Sequence, residues 1–84
     1  MRVLIHLTEL GTQKSYILDF GKSVTERDMQ NVLKSGNKEA AAILLGYSRC
    51  LRNARKFEIL AENRAAAEAS ADFVVGECDL GALV

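Results

Sequence analysis

The 84-residue chain carries 11 basic and 11 acidic side chains, a formal net charge of zero, and 49% hydrophobic residues. That apolar share excludes a globally disordered chain, and the length allows one domain, residues 1–84, too small to hide all of its apolar surface. Two cysteines without a CxxC pair exclude a disulfide framework, and no run suits a signal peptide or membrane span, so a reduced, cytoplasmic protein with no membrane partner is expected.

Residues 2–9 alternate, with Val3, Ile5 and Leu7 on one side and Leu4, His6 and Thr8 on the other, as a strand requires. Leu10-Gly11-Thr12-Gln13 interrupts the alternation with a glycine suited to a positive-φ turn. A second strand is expected over 14–20, opposing Tyr16, Leu18 and Phe20 to Ser15, Ile17 and Asp19. The pair predicts an N-terminal antiparallel hairpin. Past Gly21-Lys22, Ser23 and Glu26 have the spacing of a capping box, and Thr25 with Asp28 offers a competing cap two residues later. The helix started there turns Met29, Val32 and Leu33 inward and ends at Ser35-Gly36, leaving Asn37 to cap the next one.

From Lys38 to Ser70 there is no proline, and Gly46 is the only glycine. Ile43, Tyr47, Cys50, Ala54, Phe57 and Ala61 recur at steps of three and four, with Leu44 and Leu51 beside them. This stripe predicts one long amphipathic helix, continuous over 38–60, that buries Leu51 and Ala54 and exposes Arg52 and Arg55. A helix over the whole segment would be about 50 Å long, whereas a domain of this size is only about 30 Å across. The segment must break, and Asn63 is the expected point, opening a helix over 64–71. Phe73, Val74 and Val75 predict a short C-terminal strand at 72–78, and Leu80-Gly81-Ala82-Leu83-Val84 an apolar tail that docks. The expected fold class is α+β: an N-terminal antiparallel β-hairpin, two to three helices including the long one, and a short C-terminal strand.

The charges are segregated along the chain: residues 1–36 sum to +1, 37–57 to +4 and 58–84 to −5. The basic block places Arg49, Arg52, Arg55 and Lys56 on the outer side of the long helix, a compact patch for an acidic partner surface. Within that block, the run from Gly36 through the paired Ala41-Ala42 to Leu45-Gly46 and Arg49 resembles the helix-turn-helix of the factor-for-inversion-stimulation family. That resemblance implies a DNA-binding regulator with a reading helix over part of 37–56. A turn at Gly46 would, however, point Arg52 and Arg55 into the core, so the phase of the stripe favours the straight helix.

Asp19-Phe20-Gly21 matches the magnesium tripeptide of kinases, without the rest that a kinase needs. His6, Cys50 and Cys78 are scattered and lack paired metal-ligand spacing, and the one histidine has no orienting acid nearby in sequence. No catalytic residue, metal site or cofactor is therefore expected, and the chain is not read as an enzyme. The leading expectation is a small protein-binding module, an inhibitor or adaptor in the style of phage and mobile-element accessory proteins, acting by occupying a larger protein. A DNA-binding regulator and a structural assembly subunit are the alternatives. Both cysteines are expected buried, and a homodimer through the stripe or the apolar tail is expected.

Overall fold

The structure, a computed structural model, describes the backbone of residues 1–79 and side-chain surroundings through Gly76. In chain order the elements are β1 (Arg2–Glu9), β2 (Thr12–Asp19), α1 (Glu26–Leu33), α2 (Asn37–Cys50), β3 (Arg55–Ile59), a 3-10 turn at Ala61–Asn63, α3 (Arg64–Ser70) and β4 (Phe73–Asp79). The expected α+β class is present, with the hairpin at the N-terminus and a strand following the last helix. The apolar tail at 80–84 lies outside the described residues.

The four strands form one sheet in the order β3-β2-β1-β4. β1 and β2 pair antiparallel in unbroken register from Arg2↔Asp19 to Glu9↔Thr12. Only Leu10 and Gly11 lie between them, at φ +50° and +82°, so both central residues of the turn are left-handed. This twist matches that of the strands it joins, but it holds a leucine, 85% exposed, in a conformation that glycine or asparagine adopts more cheaply. β4 runs parallel to β1, and β3 antiparallel to β2. The parallel pair begins where the Arg2 amide donates to the Asp72 carboxylate and the Asp72 amide to the Arg2 carbonyl, both at 2.8 Å.

Alternation then assigns every strand residue to one of two faces. Val3, Ile5, Leu7, Leu18, Phe20 and Val75 meet Val24, Met29, Val32, Ala40, Ala41 and Leu44 from the α1–α2 region, and this is the main core. On the opposite face Leu4 and Ile17 meet Ala67 of α3, with Ile59 and Ala71 at the margin. The seven residues of α3 span about 10 Å, whereas four strands spaced about 4.8 Å apart make a wider surface. The outer strands consequently show bare apolar side chains on this face: Phe57 on β3 at 47% exposure and Val74 on β4 at 48%.

Several local expectations are corrected. The first helix is capped by Thr25 rather than Ser23: its hydroxyl accepts from the Asp28 amide at 3.2 Å, and the Asp28 carboxylate accepts from the Thr25 amide at 2.9 Å. Gly36, not Asn37, is the N-cap of α2, and its φ of +88° needs a residue without a β-carbon. The continuous helix over 38–60 is not formed. α2 passes straight through Gly46 but ends at Cys50, Leu51 turns extended (φ −80°, ψ 127°), and Arg55–Ile59 is a strand. The length argument held in that the segment breaks, within a molecule measuring 33 × 28 × 22 Å. It breaks twelve residues before Asn63, which does precede the last helix but makes no side-chain cap. The stripe is thus a coincidence of spacing between a helix and an edge strand. Cys50 and Phe57 are exposed, and Tyr47 only edges onto Phe20 in a T-shaped contact with ring centroids 6.4 Å apart.

Candidate functional site

Two regions concentrate polar groups. The first is the basic corner where α2 turns into β3. Arg49 lies in the last turn of α2, Arg52 in the connection, and Arg55 and Lys56 at the start of β3. They do not share one helix face. Arg55 and Lys56 are successive strand residues and point to opposite faces of the sheet. Lys56 pairs in register with Leu18 and places its ammonium 4.4 Å from the centroid of the Tyr16 ring, a cation–π contact. Arg55 lies across from Asp19 on the α3 side, yet no salt bridge joins them. Among the described residues, the side chains of Arg49, Arg52 and Arg55 have neither an ion pair nor a hydrogen bond, and all three residues are exposed. Leu51 and Ala54, expected buried on a helix, are only half-buried against the main core, in a turn that has left the helix.

β3 is also an edge strand, bonded to β2 on one side only. Its five residues alternate Arg55, Phe57 and Ile59 on the α3 face with Lys56 and Glu58 on the other, where Glu58 meets Lys14 at 4.0 Å. Leu60, just beyond, is 60% exposed. The corner thus joins three unpaired guanidinium groups, an exposed phenylalanine and a row of backbone groups with no strand beside them.

The second region lies on the α3 face. His6, Ser15 and Glu68 come together from β1, β2 and α3. The His6 Nδ1 is 2.7 Å from the Ser15 Oγ, and its Nε2 is 3.5 Å from the Glu68 Oε1. A ring protonated on Nε2 turns its N–H toward the carboxylate and leaves Nδ1 to accept from the serine hydroxyl. Beside this trio, a cleft of about 470 Å³ is lined by His6, Gln13, Asn37, Arg64, Glu68, Val74 and Gly76. A β-bulge lies at its border: between Ile5↔Val75 and Leu7↔Cys78, two residues of β4 oppose the single His6 of β1.

The order hydroxyl, imidazole, carboxylate is the one acyl-transfer enzymes use. Sequence alone offered no orienting acid for His6; the fold supplies one from 62 residues away in Glu68. Ser15 is completely buried and does not line the cleft, however, so no substrate carbonyl reaches its oxygen. The contact stands as a satisfied buried hydrogen bond that fixes the imidazole.

Among the described residues no three His, Cys, Asp or Glu side chains are grouped to hold a metal ion, and no helix is long and apolar enough to cross a membrane. Comparison with known proteins returns no match to this chain among family models, curated proteins or solved structures.

Proposed function

We propose that this protein is a non-enzymatic binding module, an inhibitor or adaptor that occupies the surface of a larger protein through the basic corner and the β3 edge. The observation that carries this reading is the set of unpaired guanidinium groups on Arg49, Arg52 and Arg55 beside exposed Phe57 on an unpaired strand. An acidic extended segment answers all three features. Its backbone adds a strand to β3, one of its side chains covers Phe57, and its carboxylates reach the arginines. The exposed thiol of Cys50 fits a reducing compartment such as the cytoplasm.

The helix-turn-helix that a DNA-reading role would use is not formed, since α2 is unbroken at Gly46 and a strand follows it. What remains testable is where the partner docks. Wild-type protein, the Arg49→Glu/Arg52→Glu double variant and Phe57→Asp are immobilised and exposed to lysate of the native host. Mass spectrometry is expected to find an acidic protein held by the wild type and lost by both variants, with their circular dichroism unchanged. Retention by both variants overturns the assignment. Steep weakening with salt, accompanied by nucleic acid in the eluate, would transfer the corner to phosphate binding.

A second reading, assembly with another copy, is favoured by the β3 sequence itself. Set antiparallel to a second copy about Phe57, Arg55–Ile59 brings Lys56 opposite Glu58 of the other copy twice, and phenylalanine against phenylalanine. This uses β3 rather than the stripe. Sedimentation at micromolar concentration tests it: twice the mass of 9.2 kDa is expected for wild type and the single mass for Phe57→Asp. A wild-type monomer removes this reading and leaves the edge to the larger partner.

A further inference from the structure

Leu10, at the tip of the β1–β2 hairpin, combines two properties that oppose each other. Among the described residues it is the one non-glycine residue with a positive φ, +50°. That conformation crowds a β-carbon against the backbone, and the turn forms more readily around asparagine or glycine. A residue held this way persists where something else depends on its side chain. Nothing among the described residues does: Leu10 is 85% exposed and belongs to neither hydrophobic core. The fold loses stability through this leucine and gains no burial from it. Burial against another molecule supplies what the fold does not.

We propose that Leu10 is an anchor that enters an apolar pocket on the larger protein. This rests on the binding-module reading and carries its interface from the β3 edge to the hairpin tip. The register makes the two regions continuous. β3 runs from Arg55, opposite Asp19, to Ile59, opposite Ser15, and so heads toward the turn. Leu60, 60% exposed, follows at that end. Phe57, Leu60 and Leu10 therefore succeed one another from mid-strand to tip, with Arg55 at the far end of β3. The tip docks at small entropic cost, since two residues join strands in unbroken register. One leucine beside Glu9 is too little apolar surface, with the wrong charge, for a lipid headgroup layer. The cleft on the α3 face is lined chiefly by polar side chains, so a second copy offers Leu10 no matching recess there. The occupant is a pocket of aliphatic or aromatic side chains on a different protein.

The test compares wild type with Leu10→Asn, Leu10→Met and Phe57→Asp. In thermal melts Leu10→Asn should unfold about 4–8 °C higher than wild type, because the turn is relieved and no contact is lost. Leu10→Met keeps both the apolar bulk and the conformation and should melt with wild type. Each protein is then immobilised and exposed to a dilution series of native-host lysate, and what the wild type holds is quantified by mass spectrometry. Leu10→Asn should need at least about tenfold more lysate to hold the same amount of that protein. Leu10→Met should hold close to the wild-type amount. A more stable Leu10→Asn that binds as wild type does, while Phe57→Asp does not, overturns the anchor and leaves the β3-edge reading standing. A melting temperature unchanged or lowered in Leu10→Asn also overturns it, since the leucine would then serve the fold. Equal loss by Leu10→Met overturns the apolar pocket. Co-sedimentation of wild type, but not Leu10→Asn, with phosphatidylcholine–phosphatidylserine vesicles overturns it in favour of a lipid surface. A wild type that holds no protein overturns the anchor and the binding-module reading together.

Discussion

On the α1–α2 side of the sheet, Phe20, Leu18, Ile5 and Met29 are sealed under two helices, and β1, β2 and β4 contribute to one continuous core. On the α3 side the same strands present Leu4 and Ile17 to a single short helix, through Ala67, and the remaining area holds His6, Ser15, bare Phe57 and bare Val74. The backbone is shared, so the difference comes entirely from what alternation sends to each side and how much helix covers it. A face with a surplus of cover holds the fold; a face with too little has room for a cleft and a docking edge. Both candidate sites use the α3 face or its β3 margin.

The division can be broken most forcefully at Phe20. It is fully buried at the junction of β2, α2 and Val24, and Phe20→Ala should cost about 3–5 kcal/mol, enough to unfold most molecules of so small a domain. Chemical denaturation followed by far-ultraviolet circular dichroism measures this. A loss under about 1 kcal/mol would mean that the two-helix face is not the principal core.

A smaller effect is expected from the polar heart of the other face. Ser15→Ala removes the hydroxyl that holds His6 and should cost about 1–3 kcal/mol, because the imidazole nitrogen is left without its partner. The same variant should shift the His6 ring signals in NMR spectra. A neutral substitution with unmoved ring signals would show that the Ser15–His6 bond does not form in solution.

Smaller again is the cap of α1. Thr25→Ala should cost about 1 kcal/mol. The backbone and side-chain hydrogen bonds from Thr25 hold the Asp28 carboxyl below its ordinary value of 3.8. With the folded-state value depressed, this contribution is complete above the unfolded value and is lost as pH falls through the folded one. Wild type should therefore lose more stability than Asp28→Asn between about pH 5 and about pH 3, as thermal melts would show. Parallel pH profiles for the two proteins would remove the box.

The smallest effect belongs to the exposed margin. Phe57→Ser should change stability by under about 0.5 kcal/mol while reducing partner or self-association. A large loss of stability would place Phe57 in the core and sharpen the contrast between faces in the opposite direction.

The hairpin was legible in the sequence because its information is local: Val3, Ile5, Leu7, Leu18 and Phe20 alternate, and Gly11 marks the turn. β4 was legible for the same reason in Phe73-Val74-Val75. β3 was hidden. Arg55-Lys56-Phe57-Glu58-Ile59 is short and lies on an edge, so it carries no buried run, and Phe57 happens to fall in phase with the apolar face of α2. Nothing near Leu51 marks a helix end in the ordinary way, with neither glycine nor proline there; contact with the main core decides the extended turn. The first basic-patch geometry failed with it, since Arg55 and Lys56 were assigned to a helix that stops at Cys50. The cleft was invisible for a different reason. His6 and Glu68 lie 62 residues apart, with no local pattern joining them, and only the crossing of α3 over β1 gives Glu68 to His6.

The pairing of β1 with β4 has a consequence for how the chain comes to be folded. Arg2 is joined to Asp72 across 70 residues, so β1 waits for the much later β4 before its second side is covered. The hairpin closes early through its two-residue turn, but Val3, Leu4 and Ile5 then sit on an open border until β4 emerges. Contacts this distant in sequence slow folding and lengthen the interval in which an apolar strand is available to the wrong neighbour. The segment that ends that interval also places Val74 and Gly76 in the lining of the cleft, so β4 both completes the β1 pairing and borders the pocket.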